Sequence, residues 1–171
     1  MLRRFRAHDA PAVQRHLAEW EVASTTAAVP HPYPAGAAAE WIAGAEAREE
    51  AGEAWARAVT RREDGTLVGA VELRPGRGGH RAELGYWIGL PFWGRGYATE
   101  AGDAMVRWAL GPAGLHRVFG VCFARNPASG AVLRRIGMRR EGTLRRHLLR
   151  WEVLEDVDVY AVLSGELPPS P

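Results

Sequence analysis

Hydrophobic positions change period several times along the chain, and the changes mark its elements. Leu2–Arg6 reads as a short first strand. Asp9 is placed to cap a helix whose Val13, Leu17 and Trp20 share one face at i, i+4 and i+7. Pro30, Pro32 and Pro34 make a stiff loop that holds His31 and Tyr33. A second helix is predicted over Ala37–Ala51, with Trp41, Ile42 and Ala45 inward and Gly52 as its stop. Ala54–Arg61 and Leu67–Leu73 read as strands around the turn Asp64-Gly65, and Ala82–Gly89, rich in Tyr86, Trp87 and Ile88, as another. After the turn Trp93–Ala98, Ala101, Met105 and Trp108 stripe a helix that runs to about Leu110. Arg117–Ala124 is apolar enough for a strand buried on both faces. Asn126 caps a helix with Pro127 at its first position; its core side is Val132, Leu133 and Ile136, and Gly137 is its left-handed stop. Arg139–Leu149 and Val153–Leu163 close the chain as strands, the second alternating at Val157, Val159, Ala161 and Leu163. Leu167–Pro171 reads as a frayed tail.

The order β-α-α-β-β-β-α-β-α-β-β shows no internal repeat and no change of composition. It predicts one α/β domain over residues 1–165, with a mixed central sheet of about seven strands and four helices, and a flexible tail over 166–171. At 171 residues and 47% hydrophobic, with a net charge of +2, the chain can bury a self-sufficient core. The single cysteine, Cys122, excludes a disulfide framework and a cysteine-based zinc site, and its mid-strand place suits the core. The six histidines lack metal-ligand spacing, so no metal is expected. Met1–Pro11 has no apolar run of the signal-peptide kind, and the longest uncharged stretch, Ala23–Ala39, is broken by three prolines. A cytoplasmic protein without membrane contact is the expectation.

All 22 basic residues are arginine, which excludes a catalytic lysine. Seven of them, Arg134, Arg135, Arg139, Arg140, Arg145, Arg146 and Arg150, fall within seventeen residues. That run could bind RNA or an acidic peptide. With a net charge of only +2 and no interleaved aromatic residues, a solvated face is favoured over a nucleic-acid partner.

Chemistry concentrates at two strand-to-helix junctions. The turn Trp93-Gly94-Arg95-Gly96-Tyr97-Ala98 has two glycines, a small alanine and a cationic Arg95 just before a helix. Amides at a helix start are unpaired and partly positive, and glycines let a phosphate approach the backbone. A dinucleotide fingerprint would need glycine at Thr99, and a Walker loop would need a lysine. A pyrophosphate cradle of another kind and a plain structural turn both remain open. Asn126-Pro-Ala-Ser129 opens the next helix after a buried strand; alone it reads as a cap, but two such junctions on one sheet form a ligand crevice.

These residues carry a resemblance. Glu83-Leu-Gly-Tyr-Trp-Ile88, Trp93-Gly-Arg-Gly-Tyr-Ala98-Thr-Glu-Ala101 and Asn126-Pro-Ala-Ser129, in this element order, resemble the GNAT superfamily of acyl-CoA N-acyltransferases from Leu2 to about Leu163. Within it they are similar to the Rim-type branch, which acetylates ribosomal-protein N-termini. The resemblance implies acetyl-CoA as co-substrate and direct transfer to an amine in a ternary complex. In the family's loop pattern Gln/Arg-x-x-Gly-x-Gly/Ala, Gly96 and Ala98 fill the last two named places and Trp93 the first. The amides of Gly94, Arg95, Gly96, Tyr97, Ala98 and Thr99 would hold the pyrophosphate. The strand before the loop would splay from its neighbour, so that the Ile88 backbone pairs with pantetheine and the acetyl carbonyl. Asn126 would touch the pantetheine arm, and Arg134 or Arg135 the 3′-phosphate.

The chain departs from the family at the tyrosine that often follows the motif asparagine by seven residues and protonates the leaving thiolate; here that place is Leu133. Ser129 is the Rim-type substitute. An amine attacks only when deprotonated, which calls for a base or a water chain, and Glu83 is expected to act through water, with a solvated strand carboxylate as the alternative. His31 and Tyr33 are expected to line the acceptor cleft, with ordinary packing as the alternative. The resemblance implies an acceptor that is a protein N-terminus, ribosomal ones included, or a small-molecule amine. The competing reading from another class is a non-catalytic acyl-CoA-binding sensor or partner module. Either a monomer or a homodimer is compatible with the exposed strand edges.

Overall fold

The computed structural model of the chain describes residues 1–167. Its sheet runs β1-β2-β3-β4-β5-β7-β6, with β1 at Leu2–Arg3, β2 at Trp55–Thr60, β3 at Leu67–Pro75, β4 at Arg81–Ile88, β5 at Arg117–Phe123, β6 at Arg139–Arg150 and β7 at Val153–Leu163. Every neighbouring pair is antiparallel except β4 and β5. The β2–β3 hairpin turns as its Asp-Gly pair dictates: Gly65 takes φ +72° and the Asp64 carboxylate accepts from the Thr66 N–H at 3.0 Å.

Among the described residues six α-helices form where four are expected: α1 (Ala10–Ala18), α2 (Trp20–Ser24), α3 (Ala37–Ala43), α4 (Ala45–Glu50), α5 (Tyr97–Leu110) and α6 (Pro127–Arg135). Each of the first two predicted helices is split. Glu19 is extended at ψ 125°, which ends α1 and turns Trp20 out of the core stripe to 49% exposure against Trp151 and His31. Gly44 interrupts the second helix, and Trp41 and Ala45 are only half-buried while Ile42 is inside. Asp9 stands before α1 without capping it by a side-chain hydrogen bond. Its buried carboxylate instead accepts from the Arg3 guanidinium at 2.7 and 2.8 Å and from the Arg6 N–H at 2.8 Å.

Helix α5 packs Ala101, Met105 and Val106 on one face of the sheet, with α6 adding Leu133 beside them. Val13, Leu17 and Ile42 cover the other face over Ala58 and Leu67. β5 alternates rather than being buried on both faces, because Arg117, Phe119 and Val121 stay half-open. In β7 the buried residues are Val157, Tyr160, Ala161 and Val162, while Leu163 is exposed at the strand's end. At the start of the predicted tail the Glu166 carboxylate accepts from the Leu163 N–H at 2.9 Å, and Leu167 packs on the core. The rest of the predicted tail, 168–171, lies outside the described residues. Among the described residues no helix is long and apolar enough to cross a membrane.

The feature that positions a site is a gap. β4 bonds to β5 only at Arg81–Glu83 against Arg117–Phe119, although β4 continues to Ile88 and β5 to Phe123. β4 stays paired with β3 throughout, and the Gly89 N–H donates to the Val68 carbonyl at 2.8 Å. By the alternation of an antiparallel ladder, the backbone groups of Tyr86 and Ile88 therefore face the gap. Gly69 makes this register possible, since a Cβ there would fall 2.3 Å from the Trp87 carbonyl oxygen.

Candidate active site

Two clefts open on either side of the gap. The first, of about 530 Å³, lies where the loop after β4 and the starts of α5 and α6 converge. Gly94 and Gly96 take φ +72° and +84°, a conformation that costs L side chains, and they turn the backbone so that its amides face outward. Among the described residues, the amides of Gly94 through Thr99 make no hydrogen bond within the chain, and the Glu100 N–H, bonded to the Gly96 carbonyl at 3.0 Å, is the first to do so. On the facing wall Asn126 caps α6, its side chain accepting from the Ser129 N–H at 3.2 Å.

The second cleft, of about 330 Å³, lies between the end of α1, the proline loop and the β3–β4 surface. Glu83 faces it, and Arg74 bridges Glu83 at 3.1 Å and Glu72 at 2.9 Å. Both clefts are lined by Thr25, Tyr86, Trp87 and Ser129, so they meet there. At the junction Tyr86 Oη lies 2.7 Å from Ser129 Oγ, where either hydroxyl can donate, and 3.2 Å from the Ser129 carbonyl, the other acceptor within reach of its single proton. Burial pushes the Tyr86 phenol up to about 12, against the opposing effect of its Ser129 bond. The buried Cys122 thiol beside them is likewise raised, chiefly by desolvation.

The expected site residues distribute as follows. Ile88, Gly94–Thr99, Asn126 and Ser129 all line the first cleft. The Ile88 carbonyl is already taken, because the Trp93 indole N–H donates to it at 2.6 Å; its N–H remains turned to the gap. Glu83 and Tyr33 line the second cleft with Ser129. Arg134 turns away and donates to Tyr160 Oη at 3.1 Å, whereas its neighbour Arg135 lines the first cleft. His31 stacks edge-on against Trp20 and lines neither cleft. Leu133 is buried at 1% exposure in the core. Much of the arginine run is tied up within the chain: Arg140 pairs with Asp158 at 2.7 Å, Arg139 with Glu166 at 3.5 Å, and Arg150 donates to the Val29 carbonyl.

Sequence reasoning missed Tyr86, Thr25, Glu72 and the role of Trp87. The signal for Tyr86 was present in the strand period, which puts it on the same edge as Ile88. Thr25 and Glu72 carry no local pattern that would mark them.

Residues 1–139 match the acetyltransferase (GNAT) domain family. An uncharacterized N-acetyltransferase, YnaD, of Bacillus subtilis is 31% identical over 108 residues, 63% of this chain and 64% of that protein. A putative ribosomal N-acetyltransferase of the same organism, YdaF, is 34% identical over 104 residues, 60% of this chain and 57% of that one. The matched region thus spans somewhat less than two thirds of these relatives. The solved structure of a GNAT-family acetyltransferase from Bacillus anthracis superposes with a TM-score of 0.87 over 96% of this chain and 95% of that one, at 24% identity. The overall fold is therefore shared with that structure, and, by the match over residues 1–139, the chain belongs to the GNAT acetyltransferase domain family.

Proposed function

We propose that the protein is an acetyl-CoA-dependent N-acetyltransferase that passes acetyl directly to a primary amine while both substrates are bound. The observation that carries this reading is the meeting of the two clefts at Tyr86 and Ser129. Six outward amides suit a pyrophosphate, and Arg95 and Arg135 add charge at the same rim. The Ile88 N–H and Asn126 suit an amide-bearing arm laid along the open edge of β4. Acetyl-CoA, once bound, supplies the acetyl group as a thioester whose sulfur leaves.

Ser129 is the group that hands that sulfur a proton. If Tyr86 donates to Ser129 Oγ, the serine proton is left pointing into the junction. A phenol held near 12 stays protonated through the working range, so Tyr86 orients the serine and does not drain it. Glu83 receives the amine's proton through water on the acceptor side, where Arg74 fixes its carboxylate. Cys122 is buried and kept as a thiol, which argues against an acyl-enzyme.

Thermal unfolding with acetyl-CoA, NAD and ATP in parallel tests the reading. Acetyl-CoA at 100 times its dissociation constant stabilises by about 2.7 kcal/mol, a rise of roughly 5–10 °C for a domain of this size. A response to acetyl-CoA alone, followed by thiol release on adding an amine, is expected. No response to acetyl-CoA refutes the reading, and binding without thiol release for any amine favours a sensor.

A further inference from the structure

The second cleft is not neutral, and its imbalance bears on what it accepts. Glu72 and Glu83 share one guanidinium, Arg74, and no other charged side chain lines the cleft among the described residues. The guanidinium turns its two terminal nitrogens toward Gly85, whose missing side chain leaves room for them: a Cβ there would stand 3.2 and 3.3 Å away. Each of those nitrogens already faces a carboxylate. Its lining side chains therefore carry one uncompensated negative charge and no free cation, and Arg150 touches the cleft only from behind, through the Val29 carbonyl. The opposite wall carries Val29, Pro30, Tyr33 and Trp41, and Trp87 adds an apolar surface beside Glu83 on β4. Its volume of about 330 Å³ is at the small end for ligand sites.

We infer that the acceptor is a small primary monoamine, cationic in solution, carried on a compact apolar or aromatic body and lacking a carboxylate. This rests on the acetyltransferase reading and names its acceptor class. The negative side attracts the ammonium and lies beside the group that takes its proton, while the apolar wall holds the body. An amino acid would set its carboxylate against two others with the one guanidinium engaged. A polyamine would lay its further cations against the apolar wall, where nothing pairs with them.

The test uses the wild-type chain with saturating acetyl-CoA and reads thiol release for phenethylamine, phenylalanine, spermidine and a hexapeptide with a free N-terminal alanine. Phenylalanine has the same body as phenethylamine and the more readily deprotonated amine, so basicity works against the expected order. The kcat/KM of phenethylamine is expected to exceed that of each of the others by about 100-fold. Glu72→Gln, which removes one carboxylate and frees one side of Arg74, is expected to narrow the phenethylamine-to-phenylalanine ratio about tenfold. A wild-type ratio below about tenfold against phenylalanine, or a preference for spermidine or the peptide, overturns the inference and leaves the acetyltransferase reading intact. No turnover of phenethylamine overturns it as well. Failure of acetyl-CoA to raise the unfolding temperature is instead a failure of the acetyltransferase reading itself.

Discussion

The two clefts are built from different materials. The first is made of backbone: a run of unpaired amides between Gly94 and Thr99, a capped helix start at Asn126 and the open edge of β4. The second is made of side chains gathered from distant segments, among them Tyr33, Glu72, Glu83 and Trp87. A backbone cradle recognises phosphate and amide groups that every acyl-CoA carries, so it needs only glycine where φ is positive and a cap where a helix starts. A side-chain cleft recognises one acceptor, and its members come from segments that share no local pattern. The contrast separates what is common to the chemistry from what is particular to this chain.

The largest effects should come from breaking each side separately. Gly96→Val forces a β-branched residue to φ +84° and turns the amides aside. Calorimetry should then show acetyl-CoA affinity weakened by about 100-fold, with amine discrimination unchanged in whatever turnover remains. Ser129→Ala should lower kcat by about 100-fold while the KM for acetyl-CoA moves less than about threefold. Tyr86→Phe should cost about tenfold, and the double variant should be no worse than Ser129→Ala, because Tyr86 acts through the serine. Independent, multiplying losses would mean that Tyr86 works on its own.

Smaller effects sharpen the contrast. Gly69→Ala pushes against the Trp87 carbonyl and should destabilise by about 1–3 kcal/mol, read as a lower unfolding temperature. The smallest effect concerns pH. His16 is buried beneath the wall both clefts share, against Trp87 and Phe92, and desolvation holds it below its usual 6.5. The folded chain then binds fewer protons than the unfolded one, so this contribution is intact above 6.5 and is lost as pH falls below it. His16→Gln should flatten the decline of unfolding temperature between about pH 7 and about pH 5 relative to wild type. An identical slope in both proteins would remove His16 from the account.

What was legible in the sequence follows the same division. The first cleft is contiguous in the chain: glycines, a helix start, and an Asn-Pro cap after a strand, each with a local physical cause. The strand count was also expected, since strands and their turns are punctuated by Asp64-Gly65 and the glycines of 74–79, whereas the β4–β5 splay was expected only from the family resemblance. Helix breaks at Glu19 and Gly44 were not, because nothing around them forbids helix; tertiary packing decides there. Arg134 and Arg135 show the limit in another way. One residue is about 100° of helix rotation, so a run of adjacent arginines does not say which one faces the cofactor. Tyr86 was hidden among the apolar residues of its strand; its significance lies in a hydroxyl 43 positions away.

The claim on which all of this rests is that both substrates occupy the two clefts at once and meet at Ser129. Initial rates measured while acetyl-CoA and amine are varied against each other test it directly. Double-reciprocal lines that intersect to the left of the axis, unaltered in Cys122→Ala, are the predicted result. Parallel lines, with activity abolished in Cys122→Ala, would show that acetyl first moves to the enzyme and would contradict the account.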